Sequence, residues 1–452
     1  MNELMSVAPQ AGLAAATLCA LGLGLFRRPS AAAVRVLALA GPLAALFLLK
    51  WAAPAALPPL ILVDVKSLFW QLAIVLGALP LAYLASGDDV ETVLFLGSLL
   101  GMTMLAVAGN LPMLFVALEF MSLPAYLLVA RAGEGDGAKR LEAAVKYFFA
   151  GALSGALFLL GMALYYGETR ALGPAAAALG TQGQAGLALM GAAALFKIGA
   201  VPLHWWLPDV YEAAAPEVAG YLSTAMKASA VLFLMRIVAL APNPVFAAVL
   251  PGLGALTALT GSFLALRQER LQRLLAYSSL AHAGLLILGV GAWQVLGRDA
   301  AAAASLVFYL AAYALLSNGA FLFLRASGVT TVKGLRGFAA RRPALAAAFA
   351  VLLFALAGVP PNGGFVAKFL IFWQAVRASL AIPAALAALS ALVSLSYYLN
   401  LIRAMYIDEA EGPAPAAGSA RAELAVLICA AGALVLGAAP LLLRGLTGGL
   451  WK

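Results

Sequence analysis

Residues 344–376 read ALAAAFAVLLFALAGVPPNGGFVAKFLIFWQAV, an apolar run of about 33 residues. As one straight α-helix the run would measure about 50 Å, whereas the hydrocarbon core of a bilayer is about 30 Å thick. Pro360 and Pro361 stand at its centre between glycines. Proline removes a backbone donor and clashes with the preceding turn. The stretch therefore predicts a membrane-spanning helix that is interrupted at its centre.

The composition of the whole chain is also typical of a membrane protein. Of its 452 residues, 64% are hydrophobic and 10% are charged, and the mean hydropathy is +1.00. A soluble domain carries about 25% charged residues. The composition therefore excludes a cytosolic enzyme, a nucleic-acid-binding protein and a disordered chain. We attribute the net charge of +9 to basic cytoplasmic loops.

A membrane-spanning helix needs about 20 apolar residues. By this criterion the chain contains fourteen runs, at about 8–26, 31–49, 61–85, 91–109, 111–131, 141–166, 184–206, 217–240, 244–267, 272–293, 300–326, 344–376, 380–406 and 422–443. The sequence therefore predicts an all-α polytopic membrane protein with about fourteen transmembrane helices.

The basic residues of the loops predict the orientation of the chain. Sixteen Lys and Arg residues, among them Arg27, Arg28, Lys139 and Arg140, fall on one side of the predicted membrane, against seven on the other. Cytoplasmic loops are enriched in Lys and Arg. Because an even number of spans returns the chain to its starting side, we expect both termini on the outer, periplasmic face.

The seventh and twelfth spans both contain helix-breaking residues. Pro202 lies near the end of the seventh span, as Pro360 and Pro361 lie at the centre of the twelfth. Both spans are expected to be discontinuous helices. Paired broken helices in corresponding positions indicate structural repeats, and a repeat of five helices gives inverted topology because five is odd. The expected divisions are 1–90 (spans 1–3), 91–240 (first repeat, spans 4–8), 241–406 (second repeat, spans 9–13) and 407–452 (span 14).

Five Lys or Glu residues lie deep in the apolar runs. They are Glu119 in the fifth span, Lys146 in the sixth, Lys197 in the seventh, Lys227 in the eighth and Lys368 after the break in the twelfth. A charge at the centre of a bilayer costs several kcal/mol, so such residues are rare and usually functional. These five are the candidate site residues.

Some of these residues also have a structural explanation. Lys146 stands four residues after Glu142 and can pair with it, or extend to the cytoplasmic surface. Glu119 can serve as a structural partner that holds two helices together. The other three lysines are too central to reach the surface easily, so a functional role is favoured for them.

The two histidines have alternative explanations as well. His282 follows a Tyr-Ser-Ser sequence in the tenth span and is either a hydrogen-bonded core histidine or part of a proton relay. His204 lies two residues after Pro202 and is either a functional group or a partner for carbonyls that the proline frees.

The chain has few residues that could hold a redox group or a nucleotide. Cys19 and Cys429 are isolated, whereas an iron–sulfur cluster takes about four ligands. No Gly-x-Gly-x-x-Gly motif follows a predicted strand. Gly151 and Gly155 lie in an apolar span, where they predict close helix packing. We therefore expect no cofactor, metal or nucleotide site in this chain.

Buried amines next to a carboxylate are suited to proton transfer. Burial lowers the pKa of an amine towards neutral pH, and a nearby carboxylate opposes that shift. A change of charge on one group can therefore load or release a proton on its neighbour. We expect Glu119 and Lys197 to form a switchable pair. We also expect a hydrated lateral polar path that runs from Glu119 and Lys146 through Lys197 and Lys227 to Lys368, with Tyr, Ser and His282 contributing.

The same residues occur in motifs that resemble the N-type subunits of bacterial respiratory complex I, which correspond to subunit 2 of the mitochondrial complex. The matching segments are Leu118-Glu119 with Ser122-Leu123-Pro124, residues 142–148, Leu195-Phe196-Lys197 with residues 201–211, Ser223-Thr224 with Lys227, residues 273–284, residues 356–360 with Gly364-Phe365 and Lys368-Phe369, and Tyr397-Tyr398-Leu399. They keep their order over residues 90–410.

The resemblance implies a proton-translocating, antiporter-like subunit of an NADH:quinone oxidoreductase. Its functional residues would be Glu119, Lys197, Lys227 and Lys368, with Lys146 secondary. NADH, FMN, iron–sulfur clusters and quinone would be bound by partner chains. Those partners would be membrane subunits of the K, M, L and J types and the peripheral redox arm, in a bacterial inner membrane.

The chain departs from the pattern of this family at a few positions. Leu207 stands where the family usually has Thr, and Gln272 replaces a usual Lys. Both changes lie at the helix break or on a loop. Two alternatives remain open: a subunit of a cation/proton antiporter or membrane-bound hydrogenase complex, and a purely structural membrane subunit. The buried charges argue against the structural alternative.

Overall fold

The computed structural model describes residues 5–26, 29–52, 54–57, 60–133, 136–175, 179–241, 244–410 and 418–438. Arg27, Arg28 and residues 439–443 of the predicted fourteenth span lie outside the described residues. The described chain is almost entirely helical, as the apolar runs predict.

The first half of the chain consists mostly of long helices, together with two short ones. The helices are α1 (Ala8–Phe26), α2 (Ala31–Leu49), α3 (Val65–Tyr83), α4 (Asp89–Ala106), α5 (Leu111–Arg131), α6 (Gly137–Thr169), α7 (Thr181–Ile198), α8 (Trp206–Ala213), α9 (Pro216–Tyr221) and α10 (Lys227–Val238). A π-helical turn at Leu222–Met226 joins α9 to α10, so that they form one span.

The second half continues in the same way. Its helices are α11 (Pro244–Ala265), α12 (Leu271–Val295), α13 (Ala300–Ser327), α14 (Phe338–Arg341), α15 (Pro343–Ala357), α16 (Gly363–Arg377), α17 (Ala381–Tyr406) and α18 (Ala420–Ala438). A 3₁₀ turn at Lys333–Leu335 precedes α14.

Within the described residues, twelve helices are long and apolar enough to cross a membrane. The remaining two predicted spans are the broken ones, because α7 is separated from α8, and α15 from α16. The prediction of an all-α polytopic membrane protein with discontinuous seventh and twelfth spans is confirmed. The inverted topology of the repeats stays a prediction.

Packing divides the chain into two compact units. Unit 1 comprises Met1–Ile198 and Ala213–Asn243, and unit 2 comprises Gly199–Glu212 and Pro244–Lys452. The division falls at the break in the seventh span, so α7 belongs to unit 1 and α8 to unit 2. The predicted repeat boundaries at residues 90, 240 and 406 stay predictions.

A short β-hairpin precedes α3, where the sequence predicts a continuous span from residue 61. Strands β1 (Ala55–Leu57) and β2 (Ile61–Val63) pair antiparallel. The helix begins only at Val65 because Asp64 caps it: the Asp64 carboxylate accepts from the amide of Ser67 at 2.6 Å, and the Ser67 hydroxyl caps the Asp64 amide. This capping box ends the extended segment and sets the start of α3.

An ion pair joins α5 to the start of α4. Asp88 caps α4 by accepting from the amide of Glu91 at 2.9 Å, and it accepts from Arg131 at 2.7 Å. Partial burial acts to raise the pKa of Asp88, but hydrogen bonds from Arg131 and from the backbone of Glu91 hold it below its ordinary value. The contact fixes one end of α5, the helix that carries Glu119.

Helices α11 and α12 pack at very close range through glycine. A Cβ at Gly284 of α12 would overlap the backbone of Ala258 on α11. Overpacking of this kind costs about 1–3 kcal/mol, because backbone atoms cannot move aside as side chains do. The position therefore depends on the absence of a side chain.

We expect Gly284→Ala to lower the thermal unfolding midpoint of the purified protein in detergent, because the added methyl group forces α11 and α12 apart. Gly252→Ala on α11 is the matched control, since a Cβ there meets nothing within 4 Å. The control should retain the wild-type midpoint. Equal midpoints for the two variants would show that the helices do not pack this closely.

Candidate functional site

Lys197 lies next to the last residue of α7, in a pocket formed with α5 and α6. Its side chain is buried, and its Nζ donates a hydrogen bond to the hydroxyl of Tyr126 at 2.9 Å. The ammonium also lies 5.2 Å from the ring centroid of Tyr126 and 5.9 Å from that of Tyr147. Lys197 is therefore held by the hydroxyl of Tyr126 and lies beside the rings of Tyr126 and Tyr147. Sequence reasoning missed Tyr126, although it stands seven residues after Glu119.

Glu119 lies half-buried on α5, within electrostatic reach of Lys197. Within the described part of the chain, the two residues form no direct ion pair, and the ammonium binds the hydroxyl of Tyr126. The structure thus brings the predicted partners into one neighbourhood without joining them. Their exchange as a switchable pair stays a prediction.

Lys227 is buried directly after the π-helical turn that joins α9 to α10. The turn rests on α3: the hydroxyl of Thr224 donates to the carbonyl of Gly77 at 3.0 Å and can also reach the carbonyl of Gly220 at 2.8 Å. Such π-helical turns occur frequently at functional sites. The apolar pattern predicted a regular helix here, because a one-residue insertion in a fully buried span leaves hydrophobic periodicity unchanged.

Lys368 lies in the second turn of α16 and reaches back to the end of α15. Its Nζ donates to the carbonyl oxygen of Ala357 at 2.9 Å, and its side chain is buried. Helix α15 ends at this carbonyl because Gly358 adopts φ +87°, a left-handed conformation that favours glycine. The ammonium therefore caps the negative end of a half-helix.

The break in the twelfth span is completed by Asn362. Its side-chain oxygen accepts from the amide of Phe365 at 3.1 Å, which caps the start of α16, while its amide donates to the carbonyl of Val359. Pro360 and Pro361 lie between the two half-helices, as the sequence predicts. The carbonyl of Val359 and the amide of Phe365 are thus bound within the protein.

The break in the seventh span follows Gly199, which has φ +82°. Past it, in unit 2, the amide of Val201 donates to the hydroxyl of Thr257 at 3.2 Å. Pro202 and His204 lie in the turn that leads to α8. The Nδ1 atom of His204 is buried and has no hydrogen-bond partner among the described residues. The role of His204 as a partner for freed carbonyls stays a prediction.

Two carboxylates on α8 bind one arginine of α12. Arg273 donates to Asp209 at 2.9 Å and to Glu212 at 2.7 Å. Gln272 donates to the carbonyl of Tyr211 at 2.7 Å. This network anchors the second part of the broken span to the start of α12. The Gln at position 272, a departure from the family pattern, thus contributes a neutral hydrogen bond at the same place.

His282 lies in a cluster of buried tyrosines in unit 2. Its Nδ1 atom lies 2.6 Å from the hydroxyl of Tyr309 on α13, and its ring centroid lies 4.7 Å from that of Tyr313. One turn earlier on α12, Ser278 is hydrogen-bonded to Tyr398 of α17. His282 is thus hydrogen-bonded within a polar cluster, which fits both explanations drawn from the sequence. Tyr309 and Tyr313 were missed because apolar helices commonly carry aromatic residues.

Lys146 differs from the other candidate lysines in its surroundings. It forms an ion pair with Glu142 at 2.8 Å, and 37% of its side chain is exposed. The structure therefore contains the pair with Glu142 that the sequence analysis gives as a structural explanation for Lys146. A further role for Lys146 in the polar path stays a prediction.

The candidate residues of each unit offer acid–base chemistry. Their groups are amines, a carboxylate, an imidazole and phenols. Within the described ranges, no group of three or more His, Cys, Asp or Glu residues is arranged to hold a metal ion.

Comparison with known proteins shows extensive similarity. A family model described as "NADH:quinone oxidoreductase/Mrp antiporter, TM" matches residues 108–394. NADH-quinone oxidoreductase subunit N of Moorella thermoacetica is 36% identical over 437 residues, which cover 88% of this chain and 88% of that protein.

Two solved structures extend the similarity over the whole fold. A chain of respiratory complex I from Thermus thermophilus with bound aureothin has a TM-score of 0.85 at 35% identity, over 96% of this chain and 98% of that one. A chain of the Mrp complex from a Dietzia species has a TM-score of 0.86 at 22% identity, over 99% and 97% of the two chains, and shares the fold.

We expect Gly358→Ala to displace the ammonium of Lys368, because a Cβ at Gly358 would lie 2.9 Å from Cδ of Lys368. Gly297→Ala is the matched control: Gly297 also has a positive φ, of +67°, but a Cβ there meets nothing within 4 Å. Both variants should lose stability through backbone strain, and only the first should lengthen the 2.9 Å contact to Ala357. An unchanged contact in a structure of the Gly358→Ala variant would contradict this account.

Proposed function

The chain belongs to the family of NADH:quinone oxidoreductase and Mrp antiporter membrane subunits, as an antiporter-like subunit of the N type in complex I, and we propose that it transfers protons through Glu119 and its buried lysines. The redox chemistry of the translocase takes place in other chains. This subunit would carry out proton transfer in the membrane, coupled to that redox chemistry.

The burial of three lysines is the observation that carries this proposal. Lys197, Lys227 and Lys368 are only 5%, 3% and 6% exposed, respectively. A permanent charge at such depth costs several kcal/mol. An apolar residue would be more stable at each position. The presence of an amine therefore indicates a function that needs its proton. A lysine that exchanges its proton is charged only part of the time, which accounts for its retention.

The partners of these lysines suit reversible proton binding. Lys197 binds the hydroxyl of Tyr126, and Lys368 binds the carbonyl of Ala357. Both are neutral acceptors, which hold an ammonium more weakly than a carboxylate does. A proton on either lysine is therefore held in place but is free to leave when a nearby charge changes. In unit 2, His282 is suited to the same role, because an imidazole can take a proton on one nitrogen and release it from the other.

The driving reaction is assigned to partner chains in this proposal. NADH, FMN, iron–sulfur clusters and quinone would be bound by the peripheral redox arm and its neighbours, and none by this chain. In the bilayer, subunits of the K, M, L and J types would be its neighbours. The relatives are named as subunits of NADH-quinone oxidoreductase, and one solved relative is part of a respiratory complex I.

The chain is a multi-pass membrane protein, and the proposed location is the bacterial inner membrane. Both termini would face the periplasm. The excess of Lys and Arg in the loops on the opposite side supports this orientation, because basic loops remain in the cytoplasm.

A subunit of a cation/proton antiporter or membrane-bound hydrogenase is the alternative. The fold is shared with the Mrp complex at 22% identity, while identity to the complex I chain is 35%. Co-purification would separate the two: flavin and iron–sulfur subunits support complex I. A nickel–iron subunit, or the absence of any redox subunit, would favour the alternative.

We expect Glu119→Gln, Lys197→Ala, Lys227→Ala and Lys368→Ala each to lower proton pumping by the purified complex in sealed vesicles. General acid–base groups contribute about 10²–10⁴-fold to proton-transfer rates, so the loss should exceed ten-fold wherever transfer limits turnover. Lys50→Ala is the control, because Lys50 is an exposed lysine after α2. Normal pumping by all four variants, with the complex assembled, would refute the proposal.

The chain expressed and reconstituted alone should show neither NADH oxidation nor quinone reduction, because the proposal assigns all redox groups to partners. The measurement is NADH absorbance in vesicles that contain only this subunit, with the whole complex as the positive control. NADH oxidation by the isolated, pure chain would contradict this assignment.

A further inference from the structure

We propose that Tyr126 is a positioning residue that holds the ammonium of Lys197 away from Glu119, so that Lys197 alternates between a neutral partner and a carboxylate. This inference rests on the proposed role of Glu119 and Lys197 in proton transfer. It adds the second partner that a switch requires. An ion pair in a buried site can open only if another group binds the ammonium.

The observed position of Lys197 is the open one. Its Nζ donates to the Tyr126 hydroxyl at 2.9 Å and faces the rings of Tyr126 and Tyr147. The two rings meet edge to face, with centroids 4.6 Å apart. These contacts form a built pocket for an ammonium without a carboxylate in it.

Helix α6 shows how far apart the two partners of Lys197 are. A Cβ at Gly151 would overlap the hydroxyl of Tyr126, and a Cβ at Gly155 would lie 3.0 Å from Oε1 of Glu119. The two glycines are four residues apart, which is about 6 Å along a helix. The hydroxyl and the carboxylate therefore lie about one helical turn apart along the same face of α6. A lysine side chain, with its flexible four-carbon stem, can span that difference.

The same geometry assigns a function to the two glycines. Tyr126 and Glu119 are seven residues apart on α5 and project from the same face of that helix. Gly151 leaves room for the phenol, and Gly155 for the carboxylate. Larger residues at these positions would push both groups away from α6. The glycines therefore allow both partners of Lys197 to lie against the same face of α6.

Removal of the Tyr126 hydroxyl should shift the ammonium of Lys197 towards the carboxylate of Glu119. A hydrogen bond to a charged group is strong enough that its loss shifts an equilibrium between two positions by a factor of about ten or more. Without it, the ammonium moves to the carboxylate, where charge attraction in a low-dielectric site retains it. The lysine is then trapped in the closed pair and cannot pass its proton on.

The test is Tyr126→Phe in the whole complex, which keeps the ring and removes only the hydroxyl. A structure of this variant complex should show Nζ of Lys197 within 4 Å of the Glu119 carboxylate. Proton pumping per NADH oxidised should fall. Tyr165→Phe is the matched control, because Tyr165 is also buried, lies on α6, and its hydroxyl donates to the carbonyl of Gly173 at 2.8 Å. Coupling in the control should stay at the wild-type level.

The double variant separates positioning from packing. If Tyr126 acts by competing with Glu119, then Tyr126→Phe added to Glu119→Gln should reduce pumping no further, because no carboxylate remains to trap the ammonium. If Tyr126 only supports the fold, the double variant should fall below Glu119→Gln by the factor that Tyr126→Phe shows alone, and the inference is overturned. It is also overturned if Nζ stays between the tyrosine rings in the Tyr126→Phe complex.

Failure of the proposed function would look different. In that case Lys197→Ala and Glu119→Gln would pump normally, whatever the position of Nζ in the Tyr126→Phe complex. Normal pumping by Tyr126→Phe, together with impaired pumping by those two variants, would overturn the role of Tyr126 alone.

Discussion

A bilayer offers no hydrogen-bond partner to the backbone, and every interruption of a membrane helix must therefore be satisfied by the protein itself. The break in the twelfth span shows how this is done. Helix α15 ends with the carbonyl of Ala357 bound by the Lys368 ammonium, and Asn362 caps the first turn of α16. Lys368, which is proposed to transfer protons, thus also binds a backbone carbonyl that the break leaves without a helical partner. Chemistry and fold depend on the same contact.

The buried lysines all lie where helical geometry is irregular. Lys197 is next to the end of α7, Lys227 follows the π-helical turn, and Lys368 faces a helix break. In a regular helix each carbonyl already accepts from the amide four residues on. At the break in the twelfth span, the carbonyl of Ala357 lies at a helix end and accepts from Lys368. The irregular geometry therefore supplies a neutral partner there, which holds an ammonium without fixing its charge permanently.

Small residues determine which groups can meet. At Gly284 the absence of a side chain brings two backbones together, whereas Gly151 and Gly155 make room for the functional groups of Tyr126 and Glu119. The sequence predicts close packing at Gly151 and Gly155 but does not say against what. The packing partner is a phenol in one case and a carboxylate in the other, which makes the glycine face of α6 part of the site.

The sequence by itself determined the membrane class, the succession of spans and the position of both breaks, because apolar run length and proline act locally. It also identified Glu119, Lys197, Lys227 and Lys368, since a charge in an apolar run is conspicuous. Tertiary structure alone decided that Lys197 binds Tyr126 and that Lys368 binds Ala357. Those contacts depend on which helix faces are opposed and on rotations of long side chains. Neither leaves a trace in residue spacing, because a tyrosine in an apolar helix has the same pattern whether it packs or binds.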